Sequence, residues 1–229
     1  MIKYNHSGNS ICIRGGTINT IIMNGHSIHG IPKSESVLGN GQFVVEERAI
    51  ANFDSLEASG TLKIRLKQTH NPQKLVIKGD ANILPLIVTE VSNGELSIYA
   101  KASYQTENPI ELQIETLHLG NIDISGEIKL FAEEIKADSF CACISGVCEV
   151  ELGGQSHSLN VDISGCSKLK TTMFSCASAN IDASGDSRIR MKAPRELNGH
   201  ISGASEIEVR GNPDRSRIKT SGVSKIEFV

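Results

Sequence analysis

With 229 residues, 39% of them apolar, 4% aromatic and none Trp, and a formal net charge of −3, the chain can bury one sizeable core, and that core must be aliphatic. No basic block gives it a nucleic-acid footprint, and no apolar run reaches the roughly 18 residues that a membrane-spanning helix needs. Ile leads the apolar set, and Ile and Val favour strands because a branched Cβ packs well on a pleated surface.

The chain opens Met1-Ile2-Lys3-Tyr4-Asn5-His6-Ser7-Gly8, without the apolar stretch and cleavage site of a secretion signal. That points to the cytoplasm, unless a signal has been removed. Residues 1–40 are rich in Gly and Asn with short Ile runs, and read as an edge ribbon or a cap. His26-Ser27-Ile28-His29 has no third ligand nearby and reads as an exposed loop pair, not a metal site. Gly39-Asn40-Gly41 marks the expected boundary to a second region, residues 41–229.

Ala58-Ser59-Gly60-Thr61-Leu62-Lys63-Ile64-Arg65-Leu66 alternates apolar and polar residues after a Ser-Gly pair. Leu75-Val76-Ile77-Lys78 comes after a turn at Asn71-Pro72 and reads as a strand. Ile87–Val91 and Leu96–Tyr99 flank Asn93-Gly94, the strongest hairpin turn in the chain. After Pro109, Ile110–Ile114 alternates again. These segments predict a conventional sheet in the N-terminal half, continuous with the strands of the C-terminal half.

The strongest signal is a repeat. Ser-Gly pairs begin at 125, 145, 164, 184, 202 and 221, spaced 18 to 20 residues apart. Each is followed by any residue, a small one, a charged one, an apolar one and usually another charged one, as in Ser184-Gly185-Asp186-Ser187-Arg188-Ile189-Arg190. Each of Ile122-Asp123-Ile124, Val161-Asp162-Ile163 and Ile181-Asp182-Ala183 precedes a pair as a second short strand. A unit of roughly 19 residues cannot bury its apolar side alone, so neighbours must stack. The fold class predicted is therefore all-β: a parallel β-solenoid, or β-helix, of ~19-residue coils in the C-terminal half, joined to the N-terminal sheet. Stacking at this period makes two apolar columns, Ile124, Ile144, Ile163, Ala183, Ile201 and Val150, Leu169, Ile189, Ile207, Ile226. The first coil departs from the rule: Ser125-Gly126-Glu127-Ile128-Lys129-Leu130 is shorter before its apolar pair, and Ala132-Glu133-Glu134-Ile135-Lys136-Ala137, rich in helix formers, is compatible with a single helical turn. The Ser-Gly at 59 lies 66 residues before the next, so the stack is expected to be interrupted there.

The Phe53-Asp54-Ser55-Leu56-Glu57-Ala58-Ser59-Gly60 opening, the Asn93-Gly94-Glu95-Leu96 hairpin and the serial Ile-Asp-Ile-Ser-Gly corners resemble the head GIN domain of autotransporter adhesins, over roughly residues 43–229. The resemblance implies a pectin-lyase-like β-helix without a recognised catalytic set, a role in cell adhesion, and a cell-surface or secreted location.

Two outward features are candidate binding sites. The position two residues before each Ser-Gly reads Asp123, Cys143, Asp162, Asp182, His200, Lys219, so Asp162 and Asp182 stack as adjacent carboxylates. They suit a cation or a basic partner, or simply help to form the corner. Beyond each corner, Lys168, Lys170, Arg188 and Arg190 adjoin one another as a basic spot suited to an anion or an acidic glycan. No catalytic motif, metal motif or cofactor motif occurs, and a lyase-type site among Asp162, Asp182, Arg188 and His200 has no spacing to recommend it. The six cysteines, Cys12, Cys141, Cys143, Cys148, Cys166 and Cys176, fit no disulfide framework and read as free thiols, with Cys148 inward beside Ser167.

Three functions remain open: a non-catalytic adhesion module for a glycan or another cell-surface ligand, an intracellular self-assembling scaffold, and a polysaccharide-active enzyme. The last repeat, Ser221 to Val229, leaves a strand edge that recruits a partner unless covered. Residues 1–40 folding back would cover it; a homodimer through the C-terminal coil is the favoured expectation.

Overall fold

The computed structural model describes residues 2–6, 9–13, 20–23, 26–29 and 36–229, the backbone alone before residue 36. The chain divides into two compact units, residues 1–37 and 38–229. The first contains two antiparallel hairpins, β1 (Ile2–His6) with β2 (Asn9–Ile13) and β3 (Thr20–Met23) with β4 (His26–His29). The side chains of Cys12, His26 and His29 lie outside the described residues.

After β5 (Val37–Leu38), the second unit runs β6 (Phe43–Arg48), β7 (Ser55–Gln68), β8 (Lys74–Asp80), a 3-10 turn at Leu84–Leu86, β9 (Ile87–Ser92) and β10 (Glu95–Ala100). Then come β11 (Tyr104–Gln105), β12 (Glu111–Thr116), β13 (Asn121–Ile144), β14 (Glu149–Ile163), β15 (Lys168–Ala183), β16 (Arg188–Lys192), β17 (Glu196–Ile201), β18 (Glu206–Arg210), β19 (Arg215–Thr220) and β20 (Lys225–Phe228). Fourteen of these strands form one mixed sheet, and the fold is all-β.

From β7 onward each repeat pairs in parallel with the next. Ile144 stands opposite Ile163, Ile163 opposite Ala183, and Ala183 opposite Ile201. Val150, Leu169, Ile189, Ile207 and Ile226 form the second column. Both columns are buried up to Ile201 and Ile207. The alternation of apolar and charged residues places every second side chain in this aliphatic core, as a period of two requires.

Two local rules make the corners. The glycines of successive Ser-Gly pairs stack directly on one another with positive φ. The residue two after each glycine turns inward, where Cys148, Ser167, Ser187 and Ser205 are buried. Their polar atoms stay satisfied: Ser187 Oγ donates to Ser184 O at 2.8 Å and Ser205 Oγ to Ser202 O at 3.0 Å. The Cys148 N–H donates to Ser167 Oγ at 3.2 Å, so the thiol lies inward beside that serine, as its place in the repeat predicts.

Two expectations need correction. Ala132 to Ala137 is not a helical turn but part of β13, with a bulge at Glu133 and Glu134. Ala132 and Ile135 are both buried, and Glu134 takes φ 57° to bring Ile135 back to the core. The long gap after Ser59-Gly60 does not interrupt the stack either. Residues 55–67 pair with 121–133 in unbroken parallel register, and the intervening segment loops out. It returns as β10 and β12, each parallel to one half of β7; its strands β9 and β8 pair antiparallel with these, and β6, from before β7, pairs antiparallel with β8. Asn93 and Gly94, both at positive φ, form the expected hairpin turn.

This insertion closes one end of the core. Ile83, Leu84, Ile87 and Ile110 are buried there. The Arg48 guanidinium bridges β6 to the other edge, donating to Ile87 O at 2.6 Å and Leu84 O at 2.8 Å. Asp80 pins the surrounding loops. Its carboxylate accepts from Thr106 Oγ and Asn108 Nδ2, both at 2.6 Å, and these bonds, with the Gly41 N–H, hold its pKa below the usual carboxylate value. Stability from a depressed carboxylate is present above its unfolded pKa and lost as pH falls through the folded one. Asp80→Asn is therefore expected to melt below wild type at pH 7, and the gap should close as pH drops below about 4. A gap of equal size at pH 7 and pH 3 in thermal melts would refute this role.

Candidate functional site

The strand segments before each Ser-Gly corner place Asp123, Cys143, Asp162, Asp182, His200 and Lys219 in one outward column. Cys143 is opposite Asp162, Asp162 opposite Asp182, Asp182 opposite His200, and His200 opposite Lys219. The column begins one step earlier than the repeat suggests, because Glu57 is opposite Asp123. Glu57 also stands two residues before a Ser-Gly, so the same rule finds it. Burial, then Glu57, pushes the Asp123 carboxyl up; burial, then Asp123 and Asp162, pushes the Cys143 thiol up. No group of three or more His, Cys, Asp and Glu among the described residues is arranged to hold a metal ion.

The basic residues lie beyond the corner. Lys168 is opposite Arg188 and Lys170 opposite Arg190, and all four line one depression of about 330 Å³. Glu149, Glu151, Glu206 and Glu208 line it too, and they neutralise most of the spot. Lys170 Nζ is 2.7 Å from Glu151, Arg190 Nε 3.1 Å from Glu208 and Arg188 Nε 3.9 Å from Glu206. Glu149 pairs with Lys129 at 3.3 Å instead of Lys168. Among the described residues, Lys168 alone of the four has no carboxylate within ion-pair distance. Exposed pairs of this kind contribute about 0–1 kcal/mol each, so they fix register more than stability. Asp162 and Asp182 do not line this depression. Asp162, Asp182 and His200 share the column before the corners, but Arg188 lies beyond the corner, so the four are not brought together.

A third feature has no signature in the repeat. At the other set of turns, a shallow groove of about 1150 Å³ crosses successive strands. Asp54 enters from the start of β7, His118 from the turn before β13, Lys136 and Asp138 from β13, His157 from β14, and Arg195 from the turn before β17. Asp138 and His157 occupy matching positions, between the register pairs Ala137–Ser156 and Ser139–Ser158. Backbone bonds fix the neighbouring turns: Gly120 N–H donates to Asp54 O at 2.8 Å, Cys141 N–H to Gly120 O at 3.0 Å, and Arg195 N–H to Ala177 O at 3.0 Å. Gly120, Ala137, Ser156 and Ala177 leave the floor low. Among the described residues, none of the six named side chains makes a hydrogen bond or ion pair.

The five described cysteines are free: Cys141, Cys143, Cys148, Cys166 and Cys176. Burial pushes Cys176 up to about 11. Alkylation at pH 7.5 with peptide mass spectrometry is expected to modify exposed Cys166 first and Cys143 more slowly, because its thiol is held protonated. Cys148 should react only after unfolding, and Cys176, part-buried with its thiol pushed up, more slowly than Cys166. Early modification of Cys148 would contradict its place in the core.

The sequence profile of the family described as "Putative auto-transporter adhesin, head GIN domain" matches residues 52–213. None of the curated proteins matches the chain in sequence. Among solved structures, a "putative adhesin" from Bacteroides fragilis NCTC 9343 has a TM-score of 0.71 at 17% identity, over 85% of this chain and 100% of that one. A "putative adhesin" from Parabacteroides merdae ATCC 43184 has a TM-score of 0.52 at 16% identity, over 85% and 99%. A "putative lipid binding protein" from Parabacteroides distasonis ATCC 8503 has 0.51 at 18%, over 85% and 100%. At these identities the likeness is one of fold.

Proposed function

The chain belongs to the head GIN domain family of auto-transporter adhesins, and from that premise we propose that it is a non-catalytic adhesion module, a parallel β-solenoid that displays side chains to a glycan or another cell-surface ligand. The observation that carries this reading is the fixed register of outward residues from one repeat to the next. Parallel pairing holds each outward column in line over five or more strands, so the module presents a ladder rather than a single point. The stacked glycines and the inward corner serines support the winding of successive coils. The acidic column and the basic spot stand on opposite sides of the Ser-Gly corners, an arrangement suited to display and not to acid–base work on one bond. No helix among the described residues is long and apolar enough to cross a membrane.

The test is retention against turnover. Immobilised bacterial and host surface glycans should retain the protein, with no release of reducing ends over hours. Release of reducing ends from any of them would replace the adhesion reading with an enzymatic one.

A self-associating form is favoured by one observation. Among the described residues, strands β19 and β20 each have a neighbour on one side only, and Ile218 and Ile226 are half-buried there while Val223 and Phe228 are exposed. Open strand edges of this kind pair with other strands. Lys225 and Glu227 of β20 already pair with each other, so apolar contact at Ile218, Ile226 and Phe228, not charge, would carry a two-fold that lays β19 against the partner's β20. Light scattering at high micromolar concentration is expected to show a dimer, and a monomer there would remove this reading.

A further inference from the structure

The charged residues displayed by the stack differ in one respect. In the basic depression, Lys170, Arg188 and Arg190 are matched by carboxylates of the neighbouring strands. In the groove at the opposite turns, Asp54, His118, Lys136, Asp138, His157 and Arg195 line one concave surface, and none has a side-chain partner among the described residues. Lys168 aside, the depression is neutralised by its own neighbours, whereas all six of these groups in the groove are without a protein partner among the described residues. Resting on the adhesion reading above, we propose that this groove is the ligand site of the module and that it takes an extended, uncharged, polyhydroxylated chain: a neutral glycan.

The chemistry of the six residues selects the class. Carboxylates only accept, ammonium and guanidinium groups only donate, and a neutral imidazole does both. Both kinds line the groove. A polyanion would meet Asp54 and Asp138, and a polycation would meet Lys136 and Arg195. An apolar partner would find no exposed apolar anchor, because the large aliphatic lining residue, Leu119, is itself buried in the core. A sugar hydroxyl is donor and acceptor at once, so a row of them satisfies both kinds of group without bringing in charge. Hydrogen bonds to charged groups are the stronger sort, and here none must be broken within the protein first.

The spacing suits a chain rather than a single sugar. Neighbouring strands lie about 4.8 Å apart, a pitch close to the length of one pyranose unit, and the groove crosses several strands between Asp54 and Arg195. The low floor at Gly120, Ala137, Ser156 and Ala177 lets a chain lie along the stack and reach each residue in turn.

The experiment is affinity electrophoresis in native gels cast with dextran, laminarin, xylan, galactomannan, pectate or heparin. At least one of the four neutral polysaccharides should retard the wild type. The variant Asp138→Ala/Arg195→Ala should lose that retardation, with binding weakened by about tenfold or more, as expected for two charged hydrogen-bonding groups. Lys168→Ala/Arg188→Ala should be retarded like wild type. Both pairs lie on the exposed surface, and unchanged thermal melts confirm that the variants are folded. Retardation by heparin or pectate alone would overturn the ligand class. Retardation that survives the groove variant, or that only the Lys168→Ala/Arg188→Ala variant loses, would overturn the site. If no polysaccharide retards the wild type while immobilised cell surfaces retain it, the groove proposal falls and the adhesion reading stands. If neither retains it, both fall.

Discussion

Gly185→Ala is expected to lower the unfolding free energy by about 2–5 kcal/mol, the sum of a left-handed backbone penalty and a forced backbone shift. Gly185 has φ 77°, which a residue with a Cβ adopts only at a cost. The space is also closed. A Cβ there would sit 2.5 Å from Gly165 O and 3.0 Å from Gly165 N, both backbone atoms of the preceding repeat. Neither can move without pulling the glycine below out of register. Gly60 separates the two causes. It too has positive φ, 107°, but no heavy atom of the described residues lies within 4 Å of where its Cβ would be. Gly60→Ala should therefore cost only the conformational part, about 1–2 kcal/mol. Denaturant midpoints at constant slope measure both. Equal losses would mean that conformation, not close stacking, explains glycine at every corner.

That contrast also shows what a one-dimensional reading can and cannot reach. The Ser-Gly spacing, the inward columns through Ile163 and Ile189, and the inward turn of Cys148 beside Ser167 come from a short local rule repeated many times. Register in such a stack is local information, because each repeat meets only its neighbours. The insertion between Gln68 and Asn121 breaks no rule locally, yet it leaves the stack and returns to it. Only long-range pairing of residues 55–67 with 121–133 reveals that the two repeats touch. The bulge at Glu134 is hidden for a similar reason. Ala and Glu favour a helix in isolation, and burial of Ala132 and Ile135 overrides that preference. Asp162, Asp182 and the four basic residues could be placed in columns from sequence, but their ion pairs could not. Glu149 chooses Lys129 over Lys168, a choice made by side-chain reach across strands. The groove was not legible at all. Its residues come from both strands and turns, where Asp54, His118, Asp138, His157 and Arg195 share no common motif and only the parallel stacking aligns them.

The second large effect tests the core along its length. Ile189 is 1% exposed and stands between Leu169 and Ile207 in the inward column. Truncation to alanine removes buried methyl groups from a site walled above and below by other repeats, so the cavity can collapse little. Ile189→Ala should cost about 2–5 kcal/mol, the range for such core truncations. Ile226 occupies the same column in the last repeat, with Ile207 on one side and no further described strand on the other. It is half-buried, and water can fill part of what an alanine leaves. For a monomer, Ile226→Ala should cost about 1 kcal/mol, close to the loss of partial burial without a cavity. Self-association through β19 and β20 would change that difference. A partner strand would cover Ile226, the cost of its truncation would approach that of Ile189, and the melting midpoint would rise with protein concentration. Chemical unfolding of both variants at two protein concentrations therefore reads the core and the end of the stack together. A cost below about half a kcal/mol at Ile189 would contradict its place in the core. A small, concentration-independent cost at Ile226 would leave that end of the stack open in solution.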